Sequence, residues 1–285
     1  MTLQWYPGHM MKARRELAAL MPSQDVVIEV LDARLPGASS NPLITELRKS
    51  KPCIKVLTKS DLADPAATRA WIEYFETEPG VVAFAATTDR PQATRQRIAT
   101  QCHGLARHRG PGKSVRALIA GVPNVGKSTL INILMDRKVA KVADIPAVTK
   151  EQQTVTLKGG MRLTDSPGLM WPKIESEARA FRLAMAGSMP DSAIDYLPIG
   201  MFGARLLLER YGSLVAARYH LTVEPSSAEE LLAEIGRRRG GLGKGATVDM
   251  HKAAEIFVRD FRAGVMGPIT LELPPVATAG EAKLP

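Results

Sequence analysis

The stretch Gly121-Val122-Pro123-Asn124-Val125-Gly126-Lys127-Ser128 constrains the fold more than any other part of the chain. It fits the pattern G-x-x-x-x-G-K-S, with the apolar run Val115 to Ala120 before it and a helical stretch, Thr129 to Met135, after it. Glycines let the backbone N–H groups wrap a phosphate chain, and the helix that follows turns its positive dipole end toward the same place. Such a loop works only between a strand and a helix, so it demands an α/β sheet. Lys127 is expected to reach the β- and γ-phosphates and the Ser128 hydroxyl to ligate Mg²⁺. Asn124, Val125, Gly126 and Thr129 complete the expected phosphate contacts. A Gly/Pro turn that matches by chance is the alternative, and the flanking strand and helix weigh against it.

The rest of the first 174 residues suits such a sheet. Short aliphatic runs at Val26 to Leu31, Cys53 to Leu57 and Val81 to Ala85 alternate with helical stretches at Asn41 to Ser50 and Ala66 to Glu76. That alternation predicts βαβ units and a mainly parallel sheet with helices on both faces. Val155 to Leu157 and Met161 to Thr164, joined across Gly159-Gly160, read as a hairpin in the same sheet. An amphipathic helix is expected from Met10 to Met21, with Met10, Ala13, Leu17 and Leu20 on its apolar side. After about Pro172 the pattern turns helical: Glu175 to Ala186, Gly200 to Tyr211, Ala228 to Arg238 and Asp249 to Gly264. The expected organisation is therefore an α/β domain over 1–174, a small all-α domain over 175–276 and a flexible tail over 277–285.

Two further motifs depend on the phosphate loop. Asp165-Ser166-Pro167-Gly168 follows an apolar strand and fits D-x-x-G, in which the Asp holds Mg²⁺ through water and the glycine N–H senses the γ-phosphate. Thr149, between the loop and this motif, is the candidate switch threonine for Mg²⁺. The base-reading motif is absent after D-x-x-G and stands instead near the start, as Thr58-Lys59-Ser60-Asp61. A carboxylate at Asp61 accepts hydrogen bonds from guanine N1–H and N2–H₂, donors that adenine lacks there. Lys59 is expected to lay its stem along the purine plane. Ala86 and Thr87, after the next strand, occupy the place of the loop whose backbone N–H meets guanine O6.

Composition narrows the partners. A formal charge of +9 points toward a polyanion. The two cysteines, Cys53 and Cys102, make neither a disulfide framework nor a zinc site, so a reducing, cytoplasmic setting is expected. No apolar run is long enough to span a membrane, and Trp5, Tyr6, Pro7 and His9 interrupt any export signal.

The order of base-reading motif, phosphate loop, switch threonine and D-x-x-G resembles the circularly permuted GTPases. Within them the chain is similar to the YlqF/RbgA family of ribosome-biogenesis GTPases. The resemblance rests on Trp5-Tyr6-Pro7-Gly8-His9-Met10, Asp32-Ala33-Arg34-Leu35-Pro36 with Asn41-Pro42, Val148-Thr149-Lys150-Glu151-Gln152-Gln153, and Asp165 through Pro172. Gly240 to Gly245 before Val248-Asp249, and Asp260-Phe261-Arg262-Ala263-Gly264, extend it over nearly the whole chain. It implies a monomeric GTP- and GDP-binding assembly factor for the large ribosomal subunit and its rRNA. A non-catalytic, GTP-dependent RNA-binding scaffold is the competing reading.

Three positions depart from the family pattern: Thr58 for Asn, Ser166 for Thr and Ala147 for Gly. Thr58 is expected to lose an amide arm that braces the base loop on the phosphate loop. Leu169 follows D-x-x-G where many GTPases carry a water-orienting Gln, and a leucine neither donates nor accepts. The resemblance assigns the water to His9, with Lys127 as the other catalytic residue; a structural histidine in an N-terminal turn is the alternative. It also implies that Asn124 holds K⁺ beside the phosphates, against the alternative of an Asn capping its own loop. Arg237, Arg238, Arg239 and Lys244, basic residues within a Gly-rich run, are the expected rRNA phosphate contacts.

Overall fold

Five of the six strands point the same way. In a computed structural model, which describes residues 8–106, 110, 113–135, 153–157, 160–166, 168–171, 174, 176–241 and 247–275, the α/β part begins with α1 (Gly8–Leu20), β1 (Val26–Asp32), α2 (Pro36–Ser39) and α3 (Pro42–Arg48). It continues with β2 (Cys53–Thr58), α4 (Pro65–Glu76), β3 (Val81–Ala85), α5 (Pro91–Leu105), β4 (Val115–Ala120), α6 (Lys127–Met135), β5 (Gln153–Leu157) and β6 (Met161–Asp165). The helical part holds α7 (Glu177–Met185), α8 (Tyr196–Tyr219), α9 (Ala228–Arg239) and α10 (Met250–Ala263).

Strand order is β3-β2-β1-β4-β6-β5, and only β5 runs antiparallel to its neighbour. From β1 the chain moves out through β2 to β3, then restarts at β4 on the other side of β1. That reversal leaves a crevice at the carboxyl ends of β1 and β4, the usual ligand position in an open α/β sheet. Register aligns the strand ends: Asp32 lies beside Thr58, Leu57 beside Ala85 and Ile119 beside Asp165. The loops carrying the sequence motifs therefore open on one edge.

Strands β1 and β2 are buried along their whole length, as parallel strands covered on both faces should be. Two opposite charges face each other inside this apolar layer. Glu29 and Lys55 are register neighbours and pair at 2.5 Å with almost no exposure. Glu29 also accepts from the backbone N–H of Asn41 at 2.8 Å, so the pair ties the sheet to the start of α3. The Asn41 side chain caps α3 by accepting from Leu43 N–H at 3.0 Å.

In the helical part, α8 is longer than the sequence suggests. It starts after the Asp195 cap and runs to Tyr219, with a break in helical geometry at Tyr211 (φ −139°, ψ 30°). Tyr211-Gly212-Ser213 reads as a stop, yet Val215 and Tyr219 continue a buried stripe at i and i+4, and packing outweighs the local signal. A Cβ at Gly200 would lie 2.7 Å from that of Ala254, so the glycine lets α8 and α10 approach closely. The stripe of α10 is buried at Ala254, Phe257 and Phe261. At α9, Ser227 accepts from Glu230 N–H, while the Glu230 carboxylate reaches back to Ser226 rather than to the capping residue.

Beyond α10 the chain returns to the α/β layer. Ile269 N–H donates to Leu62 O at 3.0 Å, Leu271 N–H to Arg34 O at 2.7 Å, and Trp71 Nε1–H to Glu272 O at 3.0 Å. The Tyr211 hydroxyl, at the α8 break, lies 3.1 Å from Asp64 Oδ2 and accepts from Thr270 N–H at 3.2 Å. Residues 277–285 lie outside the described residues.

Removing one member of the Glu29–Lys55 pair strands the other charge in the sheet. Lys55→Met, which roughly keeps the volume, is expected to cost about 3–5 kcal/mol, and adding Glu29→Gln should return a large part of it. Urea unfolding measures both; an unchanged midpoint for the single variant would contradict this account.

Candidate nucleotide site

The phosphate loop begins where β4 meets β1. A Cβ at Gly121 would fall 2.6 Å from the Val30 carbonyl oxygen, so only glycine lets the chain leave β4 at that angle. Asn124 (φ 61°) and Gly126 (φ 92°) are both left-handed and turn the loop into the start of α6, where Leu130 N–H donates to Gly126 O. The D-x-x-G segment is laced to this loop. Ser166 N–H donates to Ile119 O at 3.1 Å and Leu169 N–H to Gly121 O at 3.2 Å. Gly168 sits against Pro123, where a Cβ would meet backbone at 3.2 Å.

Lys127 is buried and its Nζ lies 3.4 Å from Asp165 Oδ1. That oxygen is buried and otherwise has no hydrogen-bond partner among the described residues. Burial pushes the Asp165 carboxyl above the usual range, and Lys127 and the Ser166 N–H only partly oppose it. The unpartnered oxygen leaves a lone pair open to a bound water or a metal ion.

On the other side of the loop, a cavity of about 230 Å³ is lined by Thr58, Lys59, Asp61, Leu62, Ala86, Thr87, Thr88, Gly126, Thr129, Leu130 and Ile133. It brings the base-reading motif, the loop after β3 and the first turn of α6 around one space. Lys59, itself left-handed at φ 54°, sends Nζ to Asn124 O at 2.7 Å and to Asp32 Oδ2 at 2.9 Å. Its stem thus bridges β2 to the phosphate loop along the cavity.

Thr58 keeps a brace that the sequence led us to expect lost. Its hydroxyl lies 2.8 Å from Leu31 O and contacts Val125 O, so a single hydroxyl touches both the strand and the phosphate loop. One expectation is redirected. The Ala86 N–H donates to Leu57 O at 2.8 Å, extending the β2–β3 pairing. Thr87, the next residue, also lines the cavity.

Asp32 and Arg34 carry more of the site than the sequence revealed. Arg34 is fully buried and forks onto Asp32 at 3.0 and 2.8 Å, and Asp32 also holds Lys59. Burial pushes the Asp32 carboxyl up, but Arg34 and Lys59 overcome it and hold the group well below the usual carboxylate range. The signal available in advance was the pairing of opposite charges two residues apart at the end of an apolar strand. Asn41 was also missed: its Nδ2 donates to Leu169 O at 2.7 Å and fixes the residue after D-x-x-G, whose side chain is buried.

The remaining candidates are dispersed. His9 lies in the first turn of α1, and its side chain, like Thr149 and Lys244, lies outside the described residues. Arg237, Arg238 and Arg239 form the last turn of α9. Arg237 and Arg238 pair with Glu234, while Arg238 and Arg239 donate to the carbonyls of His220 and Arg218 at the end of α8. Asn124 donates through Nδ2 to Gly187 O at 2.7 Å, beyond α7.

Residues 116–191 match the family model described as 50S ribosome-binding GTPase. Ribosome biogenesis GTPase A of Bacillus pumilus is 42% identical over 281 residues, covering 96% of this chain and 99% of that protein. The chain belongs to the ribosome biogenesis GTPase A family. The GDP-bound structure of TM YlqF superposes on this GTPase with a TM-score of 0.67 at 28% identity, covering 91% of this chain and 99% of that one. GNP-bound YlqF from T. maritima gives 0.66 at 30% identity, over 92% and 98%. The permuted order of motifs in this GTPase is thus accommodated by a six-stranded sheet, mainly parallel, followed by the helices α8 to α10.

Asp61 lines the cavity, which makes it the first residue to test. Asp61→Asn is expected to weaken GTP binding by roughly 10–100-fold, the scale of one unmatched buried polar contact, and to strengthen binding of XTP, whose C2 carbonyl needs a donor. Competition against a fluorescent nucleotide reads both changes; an unaltered GTP-to-XTP ratio would remove Asp61 from the site.

Proposed function

We propose that this GTPase binds GTP with Mg²⁺ in the cytoplasm and hydrolyses it in association with the large ribosomal subunit, acting as a monomeric assembly factor. The observation that carries the reading is the convergence of the base-reading, phosphate-loop and D-x-x-G segments on one sheet edge. Asp61 selects guanine, with Lys59 along the purine plane and the Thr87 N–H toward O6. Backbone N–H groups from Asn124 to Thr129 and the Lys127 ammonium hold the phosphates.

The donor set suits Mg²⁺: Ser128 lies in the first turn of α6, Asp165 offers a buried acceptor oxygen without a hydrogen-bond partner among the described residues, and Thr149, outside the described residues, would complete the set. Ser128 and Thr149 would hold the ion directly and Asp165 through water; when bound it neutralises charge on the phosphate oxygens. Water attacks the γ-phosphorus in line as the bond to the bridging oxygen breaks, and Lys127 balances the charge that develops there. The Gly168 N–H reports the γ-phosphate. Leu169, buried and held by Asn41, gives the water no side-chain polar contact; the family resemblance gives that water to His9. A K⁺ beside the phosphates would take the Asn124 amide oxygen and add its charge to those of Mg²⁺ and Lys127.

His9→Ala is expected to lower subunit-stimulated turnover by roughly 10²-fold or more while GTP affinity changes little. Single-turnover phosphate release with separated subunits measures it, and a matching loss of binding would mark His9 as structural. Wild-type protein that shows no stimulation by large subunits would instead favour the scaffold reading.

The rRNA contacts are Arg237, Arg238, Arg239 and Lys244, with Lys12, Arg14 and Arg15 of α1 as a second basic face. Gln at positions 237–239 keeps amide donors for the α8 carbonyls and removes the charge. Those three substitutions are expected to cut co-sedimentation with large subunits in a GTP analogue, and to flatten its salt dependence by roughly 2–3 in log–log slope. Equal binding by wild type and variant across the salt series would dismiss the patch.

A further inference from the structure

Two segments singled out in the sequence, Asp32-Ala33-Arg34 at the base site and Asp260-Phe261-Arg262-Ala263-Gly264 at the end of α10, meet each other. Arg34 Nη1 donates to Phe261 O at 3.1 Å and to Arg262 O at 3.3 Å, two carbonyls in the last turn of α10. Its guanidinium also lies over the Phe261 ring, 4.9 Å from the centroid. The other edge of the same guanidinium forks onto Asp32, and Asp32 holds Lys59. One planar cation thus spans from the base-reading lysine to the end of a helix more than 200 residues away in sequence.

A second contact joins the same two places. Gly264, left-handed at φ 72°, caps α10 against the side chain of Leu62, where a Cβ would fall 2.6 Å from Leu62 Cδ2. Leu62 lines the base cavity one residue after Asp61. The α10 terminus is connected onward as well. Arg262 donates to Ala184 O and Met185 O at the end of α7, next to Gly187, which accepts from the phosphate-loop residue Asn124. The contacts close a ring: Asn124, α7 terminus, Arg262, α10 terminus, Arg34, Asp32, Lys59 and back to Asn124 O.

We propose that Arg34 is a positioning residue for the guanine-reading lysine, and that through it and Leu62 the C-terminal end of α10 is coupled to occupancy of the base site. Without the fork Asp32 keeps only the Arg34 backbone N–H and Lys59 as partners, and Lys59 loses a rigidly held anchor. Conversely, a purine that settles against Lys59 and Leu62 fixes the surface on which the α10 cap rests. This path runs from the base rather than from the γ-phosphate, so GDP suffices to engage it. Coupling of this kind is reciprocal. The inference rests on the base-site reading given above.

The decisive experiment combines GDP binding, followed with a fluorescent GDP analogue, and amide exchange at Gly264 and Val265, whose N–H groups donate to Phe261 O and Asp260 O. In the wild type, GDP is expected to slow exchange at these two amides by about tenfold, an ordinary coupling strength. Arg34→Lys keeps a positive charge beside Asp32 but cannot reach the α10 carbonyls at the same time. It is expected to lower GDP affinity by about tenfold and to abolish the GDP-dependent slowing. Arg48→Ala breaks a pair with Glu78 at the far end of β2; it is expected to lower the melting temperature while GDP affinity and the exchange response stay as in the wild type. Wild-type GDP binding without any change at Gly264 and Val265 overturns the coupling alone, even if Arg34→Lys fails to fold. An Arg34→Lys protein that melts lower but keeps both responses also overturns it. Failure of the wild type to bind GDP overturns the base-site reading and the coupling together.

Discussion

Everything at the nucleotide edge depends on how closely β4 lies against β1. The loop leaving β4 passes under the Val30 carbonyl with room for a hydrogen and no more at Gly121. From that point the backbone is steered into two left-handed residues and then into α6, which fixes the direction of its first N–H groups. The D-x-x-G segment is registered on the same strand through Ile119 and on the same glycine through Leu169. A larger residue at position 121 would displace all three together, because they share one backbone junction.

Charges buried beside this junction fix its form more than they stabilise it. Glu29 with Lys55, and Asp32 with Arg34 and Lys59, lie in a layer that is otherwise aliphatic. Taking such groups out of water costs about as much as their attraction returns. What they gain is direction: each carboxylate accepts from a backbone N–H as well, Glu29 from Asn41 and Asp32 from Arg34. The first turns after β1 are thereby held in one arrangement.

Much of this was legible in the sequence, and for reasons that can be stated. The phosphate loop, the D-x-x-G glycine and the base-reading segment are local patterns whose spacing follows from backbone geometry, so the strands that end at them were readable too. Asn41 and Arg34 were not. Their partners, Leu169 and the carbonyls of Phe261 and Arg262, lie 128 or more residues away in sequence, and no local spacing encodes such a contact. The second half of α8 was hidden by the opposite error: Tyr211-Gly212 carries a real local stop signal that the burial of Val215 and Tyr219 overrides.

Permuted order also has a consequence for synthesis. Strands β1, β2 and β3 emerge in succession and pair as neighbours, a local unit of low contact order that forms early. Its edge strand β1 is mostly aliphatic and still has one open side, because β4 is made only after α5. In the finished fold that edge is the centre of the sheet; on the ribosome it is a bare template for any passing strand during the several seconds needed to make the next segment, at roughly 5–20 residues per second. The nascent chain is therefore most prone to mispairing between completion of β3 and arrival of β4, and a chaperone that covers a β edge would act in that interval.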